Sequence, residues 1–296
     1  MAPLIFALPE NEDLSASLAT ALGGDPGEAE IRRFPDGESF VRVLSDVKDR
    51  EVICACTLHR PDDKLLPLYF LARLLEELGA ARVGLVAPYL AYMRQDRRFH
   101  PGEAVTSKLF AGLISDYFDW MVTVDPHLHR LSNLNAIYTI PAVSLHAAPL
   151  ISDWIKANVD DPVLIGPDGE SEQWVSQVAE RAGAPFTVLQ KLRRGDNDVE
   201  VSMPDVDAYR DCTPVLVDDI ISTAHTMMET IAHLKALGLV EPVCIGVHAV
   251  FAGTAFADLR ASGAGRIVTC NTIPHETNGV DVVPMVAERV RERLAD

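Results

Sequence analysis

Positive charge is scarce in this chain. Its 296 residues carry 26 Lys and Arg against 43 Asp and Glu, a formal net charge of −17. A nucleic-acid-binding surface needs a basic stripe, so that class of partner is excluded. Phosphorylated ligands must instead be caught by local basic clusters and metal ions. Cysteine is scarce too: there are five, an odd number, and none has zinc-type spacing. Cys54, Cys56, Cys244 and Cys270 lie in apolar runs that read as strands. They are expected to be small buried hydrophobes in a reducing compartment. The first residues, Met-Ala-Pro-Leu-Ile-Phe-Ala-Leu-Pro, lack the basic region of a secretory signal, and no apolar run approaches membrane-spanning length. The expectation is a soluble, cytoplasmic protein with no membrane partner. With 48% apolar and 23% charged residues it is ordinary globular material, long enough for two domains.

The most informative stretch is Val215-Leu216-Val217-Asp218-Asp219-Ile220-Ile221-Ser222-Thr223-Ala224-His225-Thr226. It reads as a short buried strand over 215–217 ended by two adjacent carboxylates. A hydroxyl-rich turn then leads into a helix from about Met227. A helix N-terminus offers unpaired N–H groups and the positive end of the macrodipole, and Ser and Thr hydroxyls add donors. Adjacent carboxylates suit two neighbouring sugar hydroxyls. A ligand with a phosphate at one end and a vicinal diol at the other is a ribose 5-phosphate.

The chain also repeats itself. A strand over 51–56, a loop over 57–64, a helical run over 65–78 stopped by Gly79 and a strand over 82–87 are matched in the second half. There the counterparts are 214–217, 220–226, 227–237 stopped by Gly238, and 243–247. Val122-Thr123-Val124-Asp125-Pro126-His127 is echoed by 268–275. Val- and Ile-rich strands followed by Leu-rich helices imply parallel sheets with helices on both faces. Two similar doubly wound α/β domains are expected, 1–143 and 144–296, with ligands at the carboxyl ends of the strands.

Three first-half segments carry chemistry. Phe34-Pro35-Asp36-Gly37-Glu38 offers a ring to stack on a base beside carboxylates that accept from an exocyclic amine, although Pro-Asp-Gly alone is common turn chemistry. Arg94-Gln95-Asp96-Arg97-Arg98 places three arginines in five residues after a strand, a polyphosphate clamp or a solvated helix face. His127 and His129 stand in a loop where a metal ligand or phosphate donor fits, with His129 the lesser candidate.

Together these segments resemble the ribose-phosphate pyrophosphokinase (PRPP synthetase) family. Phe34, Asp36, Gly37 and Glu38 match its adenine-binding loop, and Tyr92-Met93-Arg94-Gln95-Asp96-Arg97 its Y-x-R-Q-D-R segment. Thr123 to His127 match T-V-D-x-H, Pro167-Asp168 its S-P-D segment and Lys191-Leu192-Arg193 the K-x-R of its catalytic loop. Cys270-Asn271-Thr272-Ile273-Pro274-His275 matches a C-terminal signature, and the 215–226 segment its ribose-phosphate loop. The resemblance implies two domains of the phosphoribosyltransferase type, the first on the ATP side and the second on the ribose 5-phosphate side. It implies transfer of the pyrophosphoryl group of ATP to the 1-hydroxyl of ribose 5-phosphate, giving 5-phosphoribosyl 1-diphosphate (PRPP) and AMP for nucleotide biosynthesis.

By the same resemblance, Lys191 and Arg193 are catalytic. ATP falls to Phe34, Asp36, Gly37, Glu38, Arg94, Gln95, Asp96 and His127, and Mg2+ to His127 and Asp168. Ribose 5-phosphate falls to Asp218, Asp219, Ser222, Thr223, Ala224, His225 and Thr226, and self-association into a homo-oligomer is expected. The chain departs from the family's pattern at Gly169-Glu170-Ser171-Glu172, where a Gly-Gly turn is common, at Ser222, where Asp is common, and at His225, where Gly is common. Two rival readings are a phosphoribosyltransferase consuming PRPP and a non-catalytic regulatory paralogue. The first has no need of an ATP domain. The second is expected to lose the lysine or the acid pair, and this chain keeps Lys191, Arg193, Asp218 and Asp219.

Overall fold

The computed structural model describes residues 2–128, 130–167, 172–193, 199–202 and 206–295, with backbone alone at 173, 190–193, 199–202 and 206. The chain divides into two compact units. Unit 1 holds residues 1–146 together with 282–296, and unit 2 holds 147–281.

Unit 1 is built from β1 (Leu4–Ala7), α1 (Glu12–Leu22), β2 (Asp25–Gly27), β3 (Ala29–Arg33), β4 (Ser39–Val43), β5 (Glu51–Ala55), α2 (Pro61–Glu77), β6 (Arg82–Ala87), α3 (Thr106–Ser115), β7 (Trp120–Val124) and β8 (Ala142–Leu145). Its main sheet runs β2-β1-β5-β6-β7-β8, and every pairing in it is parallel. β5 and β6 are almost fully buried, as both faces of a parallel sheet must be when helices cover them. Gly84 of β6 is fixed by a close approach: a Cβ there would stand 2.0 Å from the Trp120 ring. Phe6, Leu8, Leu71, Leu75, Leu85 and Met121 lie in the core of this unit. β3 and β4 leave the sheet as a separate antiparallel hairpin.

Unit 2 repeats the plan with α4 (Ala148–Asn158), β9 (Pro162–Gly166), α5 (Glu172–Ala182), β10 (Phe186–Val188), β11 (Gln190–Arg193), β12 (Val199–Ser202), β13 (Thr213–Ile221), α6 (His225–Ala236), β14 (Val243–Ala249), α7 (Ala255–Ala261), β15 (Arg266–Cys270) and β16 (Asn278–Val280). Its parallel sheet runs β10-β9-β13-β14-β15-β16, the same order as in unit 1 when strands are matched one to one. β11 and β12 form a two-stranded antiparallel ribbon. The repeat expected from the alternation of strand and helix is therefore a repeat of sheet topology. The last helix, α8 (Val283–Ala295), belongs to unit 1, where it packs on α1 and β7. A division at 143/144 does not show this return, because the amphipathic pattern of α8 says that it needs a sheet or helix to cover but not which one.

Two local expectations change. β13 does not stop at Val217; pairing with β14 continues through Asp218↔Gly246, Ile220↔His248 and Ile221↔Ala249. Gly246 leaves the space that Ile221 fills, since a Cβ there would lie 2.5 Å from the Ile221 side chain. α2 begins at Pro61, four residues before the Leu-rich run, because proline at the first helical position needs no N–H partner.

All five cysteines are free, and four are buried. Burial pushes the Cys56 and Cys244 thiols up to about 12, as befits small core hydrophobes and not nucleophiles. Among the described residues no helix is long and apolar enough to cross a membrane.

Candidate active site

The carboxyl end of β13 carries Asp218 and Asp219, both half-buried. They lie within the strand, so their side chains leave the backbone in alternating directions and do not start out side by side. Asp218 Oδ1 accepts the Asp219 N–H at 2.9 Å. The turn that follows is held from below. Ala252 N–H donates to the Ser222 carbonyl at 3.0 Å and Phe251 N–H to the Ile221 carbonyl at 2.9 Å. Ala224 is the N-cap of α6 and adopts a left-handed backbone, φ 58°, at the start of a helix whose first N–H groups have no carbonyl partner within the helix. No side chain caps that end among the described residues. Thr223, His225 and Thr226 are exposed around it. His225 does not point freely into the turn: its Nε2 lies 3.1 Å from Glu229 Oε1, one helical turn on. The result is an open cradle of uncapped amides and hydroxyls at a strand end, the chemistry that holds a phosphate monoester.

Unit 1 places its own candidates at loops of its sheet. Phe34 to Glu38 form the tip of the β3–β4 hairpin, closed by Phe34 N–H to the Glu38 carbonyl at 2.7 Å and turned at Gly37, φ 93°. The Phe34 ring is 40% exposed, with Arg32 stacked 4.8 Å from its centre. An exposed ring carrying a guanidinium on a hairpin tip is a surface on which a planar base stacks.

The Arg94–Arg98 segment is a turn and not a helix face. A left-handed Tyr92, φ 61°, starts it. Tyr92 Oη donates to the Asp62 carboxylate. Asp96 differs from its neighbours: its carboxylate is almost fully buried and accepts from Arg130 Nη1 at 3.0 Å. It therefore holds the segment in place, while Arg97 stacks on Phe99 at 4.9 Å.

His127 follows β7 and is half-buried. Two residues before it, Asp125 has a left-handed backbone, φ 35°, and its Oδ1 lies 2.9 Å from His146 Nδ1. Sequence reasoning passed over His146; only its place at the end of β8, next to β7, could have signalled it. It also passed over a cluster at the start of α2. Glu10 Oε1 and Oε2 accept from Arg60 Nη2 at 2.7 and 2.8 Å. Lys64 Nζ reaches Glu10, His59 and the Thr57 carbonyl. Burial foremost, then the Lys64 charge, lowers His59 to about 4.

Asp168, Gly169, Glu170, Ser171 and His129 lie outside the described residues, as do the side chains of Lys191 and Arg193. Lys191 and Arg193 occupy β11 of the ribbon, opposite Val201 and Val199. Among the described residues no three His, Cys, Asp or Glu side chains gather into a ready cation cage.

Residues 3–117 match the family model described as the N-terminal domain of ribose phosphate pyrophosphokinase, and residues 133–284 match that of the phosphoribosyl transferase domain. A ribose-phosphate pyrophosphokinase of Methanothermobacter thermautotrophicus is 32% identical over 98% of this chain and all of its own length. Another, from Methanopyrus kandleri, is 33% identical over 97% of this chain and 98% of its own. In fold, the chain superposes on the crystal structure of phosphoribosylpyrophosphate synthetase from Mycobacterium smegmatis with a TM-score of 0.86. That match is 23% identical and covers 100% of this chain and 99% of the other. Two family models that together span most of the chain and relatives matched over nearly their full length lead to one conclusion: the chain belongs to the ribose-phosphate pyrophosphokinase family.

Proposed function

We propose that this chain makes PRPP and AMP from ATP and ribose 5-phosphate, with the residues named above in the following roles. The β13–α6 turn carries the reading: an uncapped helix start ringed by Thr223, His225 and Thr226, directly after two carboxylates. The amides and hydroxyls of Ser222 to Thr226 take the 5-phosphate. Asp218 and Asp219 orient the ribose hydroxyls, directly or through a magnesium ion. In unit 1, Phe34 stacks the adenine, Asp36 and Glu38 accept from its amine, and Gly37 lets the backbone turn beneath it. Arg94 and Gln95 bind the phosphates, and Asp96 positions them by fixing their segment to Arg130.

The 1-hydroxyl attacks the β-phosphorus in line and AMP leaves. Such a transfer asks the protein mainly for positioning and for neutralising charge on the non-bridging oxygens. Lys191 and Arg193 supply that neutralisation. Magnesium keeps most of its waters and binds through one or two carboxylates plus substrate phosphates. His127 in unit 1 and Asp168 in unit 2 would hold it, each as one ligand of a site completed by phosphate oxygens. When bound, it offsets the charge of the triphosphate. The protein acts in the cytoplasm as a homo-oligomer.

Incubation with ATP, ribose 5-phosphate and magnesium tests the proposal. AMP and PRPP form in equal amounts, and Lys191→Ala loses both. No AMP with any pentose phosphate, despite ATP binding, would replace this reading with the regulatory paralogue.

A further inference from the structure

Unit 1 contains a cavity of about 440 Å3 that none of the residues assigned to ATP lines. Four cations, Arg32, Arg33, Arg60 and Lys64, face it with two carboxylates, Glu10 and Asp63. A local excess of positive charge is unusual on a chain of net charge −17.

Its place in the fold is informative. The two sheets share one strand order, so β5 in unit 1 corresponds to β13 in unit 2, and the β5–α2 turn to the phosphate cradle of the β13–α6 turn. Both helices start from a non-glycine N-cap in the left-handed region, Arg60 at φ 50° and Ala224 at φ 58°, and no side chain caps either among the described residues. The side chains differ. Aligned on those caps, His59 stands where unit 2 has Thr223, unit 1 adds Arg60 at the cap and Lys64 four residues on, and the loop after β1 inserts Glu10 among them. The Glu10 carboxylate takes Arg60 at 2.7 Å, Lys64 at 3.3 Å and His59 at 3.4 Å. Lys64 is 8% exposed, a buried ammonium held ready at the wall.

The geometry points to this cavity as a second anion site, for a phosphate monoester with a small organic group, whose phosphate replaces the Glu10 carboxylate between Arg60 and Lys64. A phosphate monoester carries about −1.5 to −2 charge and three acceptor oxygens, against one charge and two oxygens for Glu10. Arg60 engages Glu10 through Nη2 alone among the described contacts, leaving guanidinium donors for further oxygens. Glu10 is 49% exposed and can swing out to solvent. Size and lining call for the organic part. The volume is that of a small-molecule pocket, and Leu8, Ile31 and Pro67 give it an aliphatic wall that a free phosphate would leave uncovered. This inference uses the phosphate assignment of the β13–α6 turn for comparison only; its test reads binding and not synthesis of PRPP.

Calorimetric titration of glycerol 3-phosphate and of inorganic phosphate into four proteins tests it: wild type, Glu10→Gln, Arg60→Gln and Thr226→Ala. Glu10 and Arg60 are both exposed, and a melting curve confirms that each variant folds. The expected result is a glycerol 3-phosphate site that Glu10→Gln tightens about fivefold, that Arg60→Gln weakens about tenfold and that Thr226→Ala leaves unchanged. If Glu10→Gln and Arg60→Gln titrate like wild type, the site does not exist, even if the enzyme makes PRPP. If the site follows Arg60 but inorganic phosphate binds as tightly as glycerol 3-phosphate, the organic part of the proposal is overturned.

Discussion

The Tyr92 hydroxyl donates to the Asp62 carboxylate, tying the left-handed corner before Arg94 to the first turn of α2. The phenol is accordingly pushed up to about 12, by burial first and then by the Asp62 carboxylate. A bulky residue at positive φ costs of order 1–3 kcal/mol and persists only where its surroundings impose it. Here the tether to α2 and the packing of the Tyr92 ring on Phe110, 4.9 Å between centres, impose it. Tyr92→Phe keeps the packing and removes the tether. We expect KM for ATP to rise several-fold with kcat within about twofold, since a hydrogen bond to a charged group contributes about 1.5–3 kcal/mol at most and this one is partly exposed. Unchanged KM would mean that the corner holds the arginine segment without the hydroxyl.

His59 sets an acid limit on stability. Its folded value lies near 4, below the ordinary 6.5. Between those values the unfolded chain binds more protons than the folded one, so stability rises with pH through that window and is lost as pH falls from about 6.5 toward 4. His59→Gln should flatten this part of the melting-temperature profile. A slope identical to that of wild type would place the acid sensitivity elsewhere.

Gly84→Ala should be among the most damaging single-methyl changes in unit 1. The added carbon meets the Trp120 ring at 2.0 Å, and both residues sit in adjacent buried strands that cannot part without losing ladder hydrogen bonds. Overpacking of this kind costs about 1–3 kcal/mol or more. The denaturant midpoint measures it, and an unshifted midpoint would show that the Trp120 ring can rotate away.

The proposed cradle predicts a split between the two substrates. Thr226→Ala removes a hydroxyl from the exposed rim and should raise KM for ribose 5-phosphate about tenfold, about 1.4 kcal/mol, with KM for ATP unchanged. His225→Gly should change it less, because the ring is drawn toward Glu229, 3.1 Å away. Equal effects of Thr226→Ala on both substrates would argue against a dedicated phosphate loop.

The sequence made the alternation of strand and helix legible, because Val- and Ile-rich runs stopped by Leu-Gly are local signals. The turn from Ser222 to Thr226 was legible for the same reason: cap, hydroxyls and helix start are neighbours in the chain. What escaped were long-range partnerships. β13 runs past its carboxylates because β14 offers Gly246 beneath Ile221, a fact of pairing and not of propensity. Asp96, grouped by its motif with the ATP residues, is buried against Arg130, 34 residues on, a partner its neighbours in the chain do not reveal. Glu10 and Lys64 come together only when β1 and β5 lie side by side. The return of α8 to unit 1 likewise depends on which surface was left bare.

In the proposed reaction the sugar hydroxyl attacks phosphorus, and C1 keeps its oxygen. The most direct measurement follows ribose 5-phosphate carrying 18O in its 1-hydroxyl through the reaction with ATP and magnesium, reading the products by 31P NMR. The expected result is PRPP and AMP in equal amounts, with the label retained in the bridge between C1 and the diphosphate. PRPP without the label, or AMP without PRPP, would contradict it.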